Sequence, residues 1–159
     1  MSTVRISIFS QNARGLIKDE KIEELCASLS RRKFFAGCVH ETWRQRKAEN
    51  LMNGDVHLIF GGGGPRRKNA TDPSMDKAGT RGVGIILSTE AHDAWKAGGF
   101  EVHRFPSARV IAVRLIVTDQ RGKEVGLFLV SAYAPIGDAE QSEWEEFLDE
   151  MDGCIDKKH

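Results

Sequence analysis

The sequence predicts an α/β fold, and three observations in its N-terminal part support this. Residues 5–11 alternate apolar and polar side chains with a period of two, as a half-buried strand does. Residues 18–30 place apolar side chains at helical spacing, and residues 34–40 form an apolar run typical of a strand buried on both faces. Because a strand, a helix and a strand in this order form a βαβ unit, we expect the first two strands to pair in parallel.

The later elements are predicted from the same patterns. We expect a short polar helix over 44–52, strands over 56–60 and 82–87, a helix or turn over 89–97, an edge strand over 101–105, two longer strands over 109–118 and 124–133 joined by a turn, and an amphipathic helix over 139–155. The seven acidic residues of this last helix are most simply a solvated face. The segment 61–80, rich in glycine and basic residues, is expected to be a mobile surface loop.

Length and composition fit a single globular domain. The chain has 159 residues, of which 40% are hydrophobic and 29% charged. It contains no apolar stretch long enough to cross a bilayer and no signal-peptide core, so we expect no membrane association and an intracellular location, nuclear or cytoplasmic. Three widely spaced cysteines fit reduced thiols, and five scattered histidines lack the spacing of zinc ligands.

The charge of the chain is distributed unevenly. Formal net charge is zero, so the chain as a whole lacks the basic signature of nucleic-acid-binding proteins. Residues 1–80, however, contain 14 Lys and Arg against 9 Asp and Glu, whereas residues 81–159 contain 9 against 14. The excess of basic residues in the N-terminal half could serve to contact phosphates, or it could simply lie on solvated helix faces.

Polar side chains stand at the ends of three predicted strands. Asn12 follows the first strand, Glu41 follows the second, and Tyr133 ends a strand shortly before Pro135. Parallel pairing of the first two strands makes Asn12 and Glu41 neighbours, and their oxygens are hard ligands of the kind that Mg²⁺ accepts. The alternatives are an ordinary solvated carboxylate at Glu41 and a tyrosine that only packs beside a proline at Tyr133.

Four motifs in order resemble a known superfamily. They are Gln-Asn-Ala-Arg-Gly-Leu at 11–16, His-Glu-Thr-Trp at 40–43, Gly-Val-Gly-Ile at 82–85 and Ala-Tyr-Ala-Pro at 132–135. Together they resemble the N-terminal half of the endonuclease/exonuclease/phosphatase superfamily, and in particular the apurinic-type endonuclease domains of non-LTR retrotransposons and their craniofacial development protein-like relatives. The resemblance covers residues 5–155 and implies the N-terminal half of a four-layer αββα sandwich of the DNase I-like type.

The resemblance also implies a site. It places Asn12 as an active-site amide near the metal, Glu41 as the ligand of Mg²⁺, with Mn²⁺ as a substitute, and Tyr133 as a hydrogen-bond donor to the scissile phosphate or to a metal-bound water. Arg109 matches a position that often lies near the substrate backbone, which would be DNA, and Arg14 in the first motif is a further candidate for substrate binding. In the glycine-rich loop, Arg66 and Arg67 are candidates for further phosphate contacts, although plain solubility explains them as well.

Departures from the superfamily pattern are equally informative. The Asp-x-Asn and Asp-His motifs, which supply the water-activating base and the phosphate-polarising histidine, are not in this sequence. Ile136 follows Pro135, where relatives often have Asn or Thr. His40 precedes Glu41, where Gln or Ser is commoner. We therefore expect a single, incomplete domain over residues 1–159 that supplies roughly one of the two sheets. Its inner apolar face should be uncovered, and be closed by a C-terminal half or by a second copy.

Three functions remain open at this point. The first is a Mg²⁺-dependent DNA endonuclease to which this chain contributes half of the site, so that the isolated chain is inactive. The second keeps the fold but acts on inositol phosphates or lipids. The third is an incomplete or degenerate domain that binds DNA or a protein partner without cleaving it.

Overall fold

The computed structural model describes residues 5–44, 49–61 and 81–158. The elements in these ranges are β1 (Ile8–Asn12), α1 (Asp19–Ser30), β2 (Ala36–His40), β3 (Glu49–Asn53), β4 (Val56–Phe60), β5 (Val83–Leu87), α2 (Thr89–Ala97), β6 (Val102–Arg104), β7 (Val110–Thr118), β8 (Glu124–Ala132) and α3 (Gln141–Ile155). A 3-10 turn over Asp156–Lys158 follows α3. Among the described helices, none is long and apolar enough to cross a membrane.

The strands form two sheets. The larger has the order β1-β2-β5-β4-β3, and the smaller has the order β6-β7-β8. As predicted, β1 and β2 are parallel, with Asn12 opposite His40. The remaining pairs are antiparallel. The central strands β2 and β5 are buried along almost their whole length, which agrees with the apolar runs in their sequences.

The two sheets pack face to face, which corrects the expectation of an uncovered inner face. Alternate residues of β7, Ile111 and Val113, enter one core with Val83 and Ile85 of β5. Strand β8 lies over β2 and β5. The chain therefore contains parts of both sheets, and the second covers the middle of the first. Towards β1 the inner face is open, and Ile8 is 55% exposed there.

Helices cover the outer faces of both sheets. Helix α1 packs its apolar residues, including Ile22 and Cys26, against the outer face of the larger sheet. Helix α3 places Phe147 and Cys154 on the outer face of the smaller sheet, against Val110 and neighbouring residues. The layers are therefore helix, sheet, sheet, helix. The three cysteines are free and buried, as the sequence predicted.

One predicted element is wrong. Residues 44–52 were expected to form a polar helix, but Glu49–Asn53 is a strand that pairs with β4. The two strands are joined by a tight turn in which Gly54 has φ 61°, and Asn-Gly between strands is a hairpin signal that outweighs the helical propensity of the preceding residues. Residues 45–48 and 62–80, which include nearly all of the expected loop, lie outside the described residues.

The C-terminus of α2 approaches the backbone of β7 very closely. A Cβ added to Gly98 would stand 2.6 Å from the carbonyl oxygen of Arg114. Backbone atoms cannot rotate away, so Gly98→Ala should push α2 off the sheet and cost about 1–3 kcal/mol of unfolding free energy. Urea denaturation measures this difference. The control is Gly137→Ala, because a Cβ there meets no atom within 4 Å, and equal stability of the two variants would contradict the prediction.

Candidate active site

Three strand ends meet at one edge of the sandwich. Asn12 is the last residue of β1, and Glu41 directly follows β2. The parallel pairing continues beyond the strands, since the amide of Ala13 donates to the His40 carbonyl and the amide of Gly15 donates to the Glu41 carbonyl, each at 2.8 Å. Strand β8, from the other sheet, ends one residue before Tyr133.

A hydrogen bond joins the two sheets at this edge. The hydroxyl of Tyr133 donates to Oε1 of Glu41 at 2.6 Å, and both side chains are half-buried. This bond to the carboxylate, together with burial and the charge of Glu41, raises the pKa of Tyr133, while the nearby Arg109 acts in the opposite direction. Tyr133 is thus held protonated as a donor, and the carboxylate is held in one orientation.

The backbone around Glu41 is strained. Glu41 has φ 54°, Trp43 has φ 55° and Arg14 has φ 48°, all in the left-handed region that non-glycine residues rarely adopt. Each such residue costs of order 1–3 kcal/mol and persists where the surroundings hold it in place, typically at functional sites. Here the amides of Thr42 and Trp43 donate to the carbonyls of Gly82 and Arg81 at 3.2 and 3.0 Å.

Asn12 and Arg14 form the exposed corner of the site. Asn12 Oδ1 accepts a hydrogen bond of 3.0 Å from the Arg14 amide, which fixes the amide side chain. Both residues are exposed. The carboxylate of Glu41 and the amide oxygen of Asn12 are hard donors, and the described ranges contain no group of three or more His, Cys, Asp or Glu that could hold a metal. One carboxylate with few other protein ligands fits Mg²⁺, which keeps several waters, and does not fit zinc.

Arg109, predicted to lie near the substrate backbone, is placed behind Tyr133. It is 7% exposed, and its guanidinium donates from Nη1 to the Tyr133 carbonyl at 3.2 Å and from Nη2 to Glu143 at 3.0 Å. In return, the amide of Tyr133 donates to the Arg109 carbonyl at 2.8 Å. Burial, followed by the charge of Arg81, lowers the pKa of Arg109. The predicted contacts of Arg66 and Arg67 lie outside the described residues.

Sequence reasoning missed the polar cluster that supports these residues. Glu150 of α3 is buried, accepts from the Ser107 amide at 3.0 Å and is also bonded to the Ser107 hydroxyl. The same hydroxyl accepts from the Arg109 amide at 3.1 Å. The acidic face of α3 is therefore not wholly solvated, contrary to expectation. A signal was present, because Glu150 lies three residues after Phe147 and four before Cys154, within the apolar stripe of the helix.

Comparisons with known proteins agree with this architecture. No protein-family model matches the chain, and no curated protein matches it. The solved catalytic domain of APE2 from Xenopus laevis is similar with a TM-score of 0.56 and 14% identity, over 95% of this chain and 52% of that chain. The AP endonuclease LMAP from Leishmania major is similar with a TM-score of 0.53 and 12% identity, over 95% of this chain and 46% of that one.

These two similarities define the fold. The chain has the mixed α/β, DNase I-like fold of AP endonuclease catalytic domains, as the sequence predicted. It spans about half the length of the two solved structures.

Proposed function

We propose that this chain supplies one half of a Mg²⁺-dependent site that hydrolyses phosphodiester bonds in DNA, of the apurinic or retrotransposon endonuclease type. The observation that carries the proposal is the 2.6 Å hydrogen bond between Tyr133 and Glu41, because it brings two strand ends from different sheets to one point beside Asn12. The similarity to two AP endonucleases supports DNA as the substrate.

The side chains have distinct roles in this proposal. Glu41 holds Mg²⁺, or Mn²⁺ in its place, and Asn12 contributes its amide oxygen. When bound, such an ion neutralises the charge that develops on the phosphate oxygens. Tyr133 donates its one hydroxyl proton to Glu41 in the free chain, and in the proposed reaction it turns this donor to a phosphate oxygen or a water beside Glu41, which stabilises charge where it develops. The strained backbone at Glu41 fixes the carboxylate before substrate arrives, so that little reorganisation is needed.

Basic residues around the site are proposed to contact the DNA backbone. Arg14 is exposed next to Asn12 and is free to make such a contact, whereas Arg109 is buried behind Tyr133 and acts on the site through that residue. Arg66 and Arg67 add positive charge in the N-terminal half. Such contacts make binding dependent on salt and independent of sequence.

The rest of the site is proposed to come from a C-terminal half or a second copy of the chain. Within the described ranges, β1 and β8 are each the last strand of their sheet. Because β8 lies over β2, these two edges open on the same side. Exposed apolar side chains line this side, among them Ile6, Ile8 and Val125. Unpaired strand edges with apolar side chains are surfaces that pair with another segment.

Removal of the Glu41 charge should be visible in the ionisation of Tyr133. Because the bond to the carboxylate is the main cause of the raised pKa, Glu41→Gln should lower the pKa of Tyr133 towards its ordinary value, and Mg²⁺ bound at Glu41 should act in the same direction. Tyr133 is the only tyrosine, so the ultraviolet absorbance of tyrosinate reports on it alone. Glu146→Gln, exposed on α3, is the control. An unchanged pKa in Glu41→Gln would contradict the contact.

The proposed activity is tested by metal binding and by cleavage. We expect calorimetry to detect Mn²⁺ binding to the chain and Glu41→Ala to abolish it, because the carboxylate is the principal ligand.

A chain extended by a C-terminal half should nick supercoiled plasmid, with complete loss in Glu41→Ala and a loss of about 100-fold in Tyr133→Phe. Glu146→Ala should leave both signals unchanged. Hydrolysis of inositol phosphates without nicking would instead favour the phosphatase, and DNA binding without Mn²⁺ binding would favour a non-cleaving domain.

The open side should make the isolated chain self-associate. We expect light scattering to give a mass above the 17.7 kDa of one chain, and Ile8→Lys to reduce it, because a lysine on an edge strand opposes pairing. Ile155→Lys, on an exposed position of α3, is the matched control. A well-folded monomer with cooperative melting would rule out the proposed open interface.

A further inference from the structure

Glu143 of α3 lies between two arginines. Its Oε2 atom accepts hydrogen bonds from Nη2 of Arg81 at 3.2 Å and from Nη2 of Arg109 at 3.0 Å. The two guanidinium groups are mostly buried, while the Glu143 side chain is 37% exposed. One carboxylate oxygen therefore holds two cations from different parts of the chain.

Arg81 connects Glu143 to the Glu41 side of the site. Its carbonyl accepts from the amide of Trp43 at 3.0 Å, within the strained segment that begins at Glu41. Its Nη1 atom donates to the Ser107 carbonyl at 3.3 Å, which ties it to the turn before β7. A shift of Arg81 is thus transmitted to the backbone that orients Glu41.

Arg109 connects Glu143 to the Tyr133 side of the site. Its guanidinium lies 5.8 Å from the centre of the Tyr133 ring and donates to the Tyr133 carbonyl. The backbones of the two residues are also bonded directly. Arg109 is therefore the residue through which Glu143 acts on Tyr133.

Electrostatics makes the shared carboxylate essential to this arrangement. Arg81 and Arg109 carry the same charge, and their proximity acts together with burial to lower the pKa of Arg109, whereas Glu143 raises it. If the carboxylate is neutralised, two poorly hydrated cations remain side by side without a counter-charge, which is strongly unfavourable. The two arginines should then separate, and the ends of β2 and β8 should separate with them.

We infer that Glu143 is a positioning residue that sets the relative orientation of Glu41 and Tyr133 by clamping Arg81 and Arg109. This inference rests on the proposed function in one respect, namely that Glu41 is a metal ligand. Groups that orient metal ligands from behind typically change metal affinity by 10- to 100-fold when they are removed. Because Glu143 acts through a further residue on each side, the effect belongs at the lower end of this range.

The test compares Glu143→Gln, which keeps the shape and removes the charge, with Glu146→Gln on the same helix. We expect Glu143→Gln to weaken Mn²⁺ binding about 10-fold in calorimetry and to shift the carbon-13 ring resonance of the sole tyrosine. Glu146→Gln should change neither. Gly98→Ala serves as a second control, because it should lower stability by overpacking a distant contact without changing the affinity or the tyrosine signal.

Glu143→Asp keeps the charge but withdraws the oxygen that both arginines share. We expect intermediate Mn²⁺ affinity and an intermediate tyrosine shift, and this variant decides the matter if Glu143→Gln does not fold. Wild-type affinity and tyrosine signal in the folded Glu143 variants would overturn the inference, even if melting temperature falls. If the wild-type chain binds no Mn²⁺, the proposed metal site fails, whereas the tyrosine signal still tests the clamp independently.

Discussion

The packing of the smaller sheet onto the larger one determines the rest of the structure. Alternate side chains of β7 fill the space above β5, and β8 is fixed above β2 by the Ser131 hydroxyl, which donates to the Val39 carbonyl at 3.4 Å. Tyr133 follows β8, and Glu41 follows β2. The relative position of the two sheets therefore places the Tyr133 phenol against the Glu41 carboxylate. Because both sheets bury apolar side chains between them, this position is costly to change.

Helix α3 contributes more than a cover for the outer face. Its apolar residues hold the smaller sheet, while Glu143 and Glu150, seven residues apart, bond the Arg109 side chain and Ser107 respectively. Two turns of helix separate these positions, so both carboxylates lie on the same side of α3. The turn between β6 and β7 is consequently fixed at both ends by one rigid element. Ala108, between the bonded residues, has φ 58°, a conformation that this double attachment maintains.

Local patterns predict most of the strands and the parallel pairing of β1 with β2, because period-two alternation, apolar runs and the βαβ rule depend only on nearby residues. The polar composition of residues 44–52 predicts a helix, whereas the Asn-Gly turn at Gly54 makes Glu49–Asn53 one strand of a hairpin. Contacts made over long separations in sequence, such as Arg81 with Glu143, leave no periodic pattern. The packing of the second sheet on the first is likewise made of long-range contacts, so local patterns do not predict it.

The backbone conformation at Glu41 sets local strain against the contact between the two sheets. A left-handed conformation costs a glutamate roughly 1–2 kcal/mol and costs glycine almost nothing. Glu41→Gly would therefore relieve backbone strain but would also remove the carboxylate that accepts the Tyr133 hydrogen bond. The hydrogen bond from Tyr133 therefore reaches a carboxylate whose own backbone is in an unfavourable conformation.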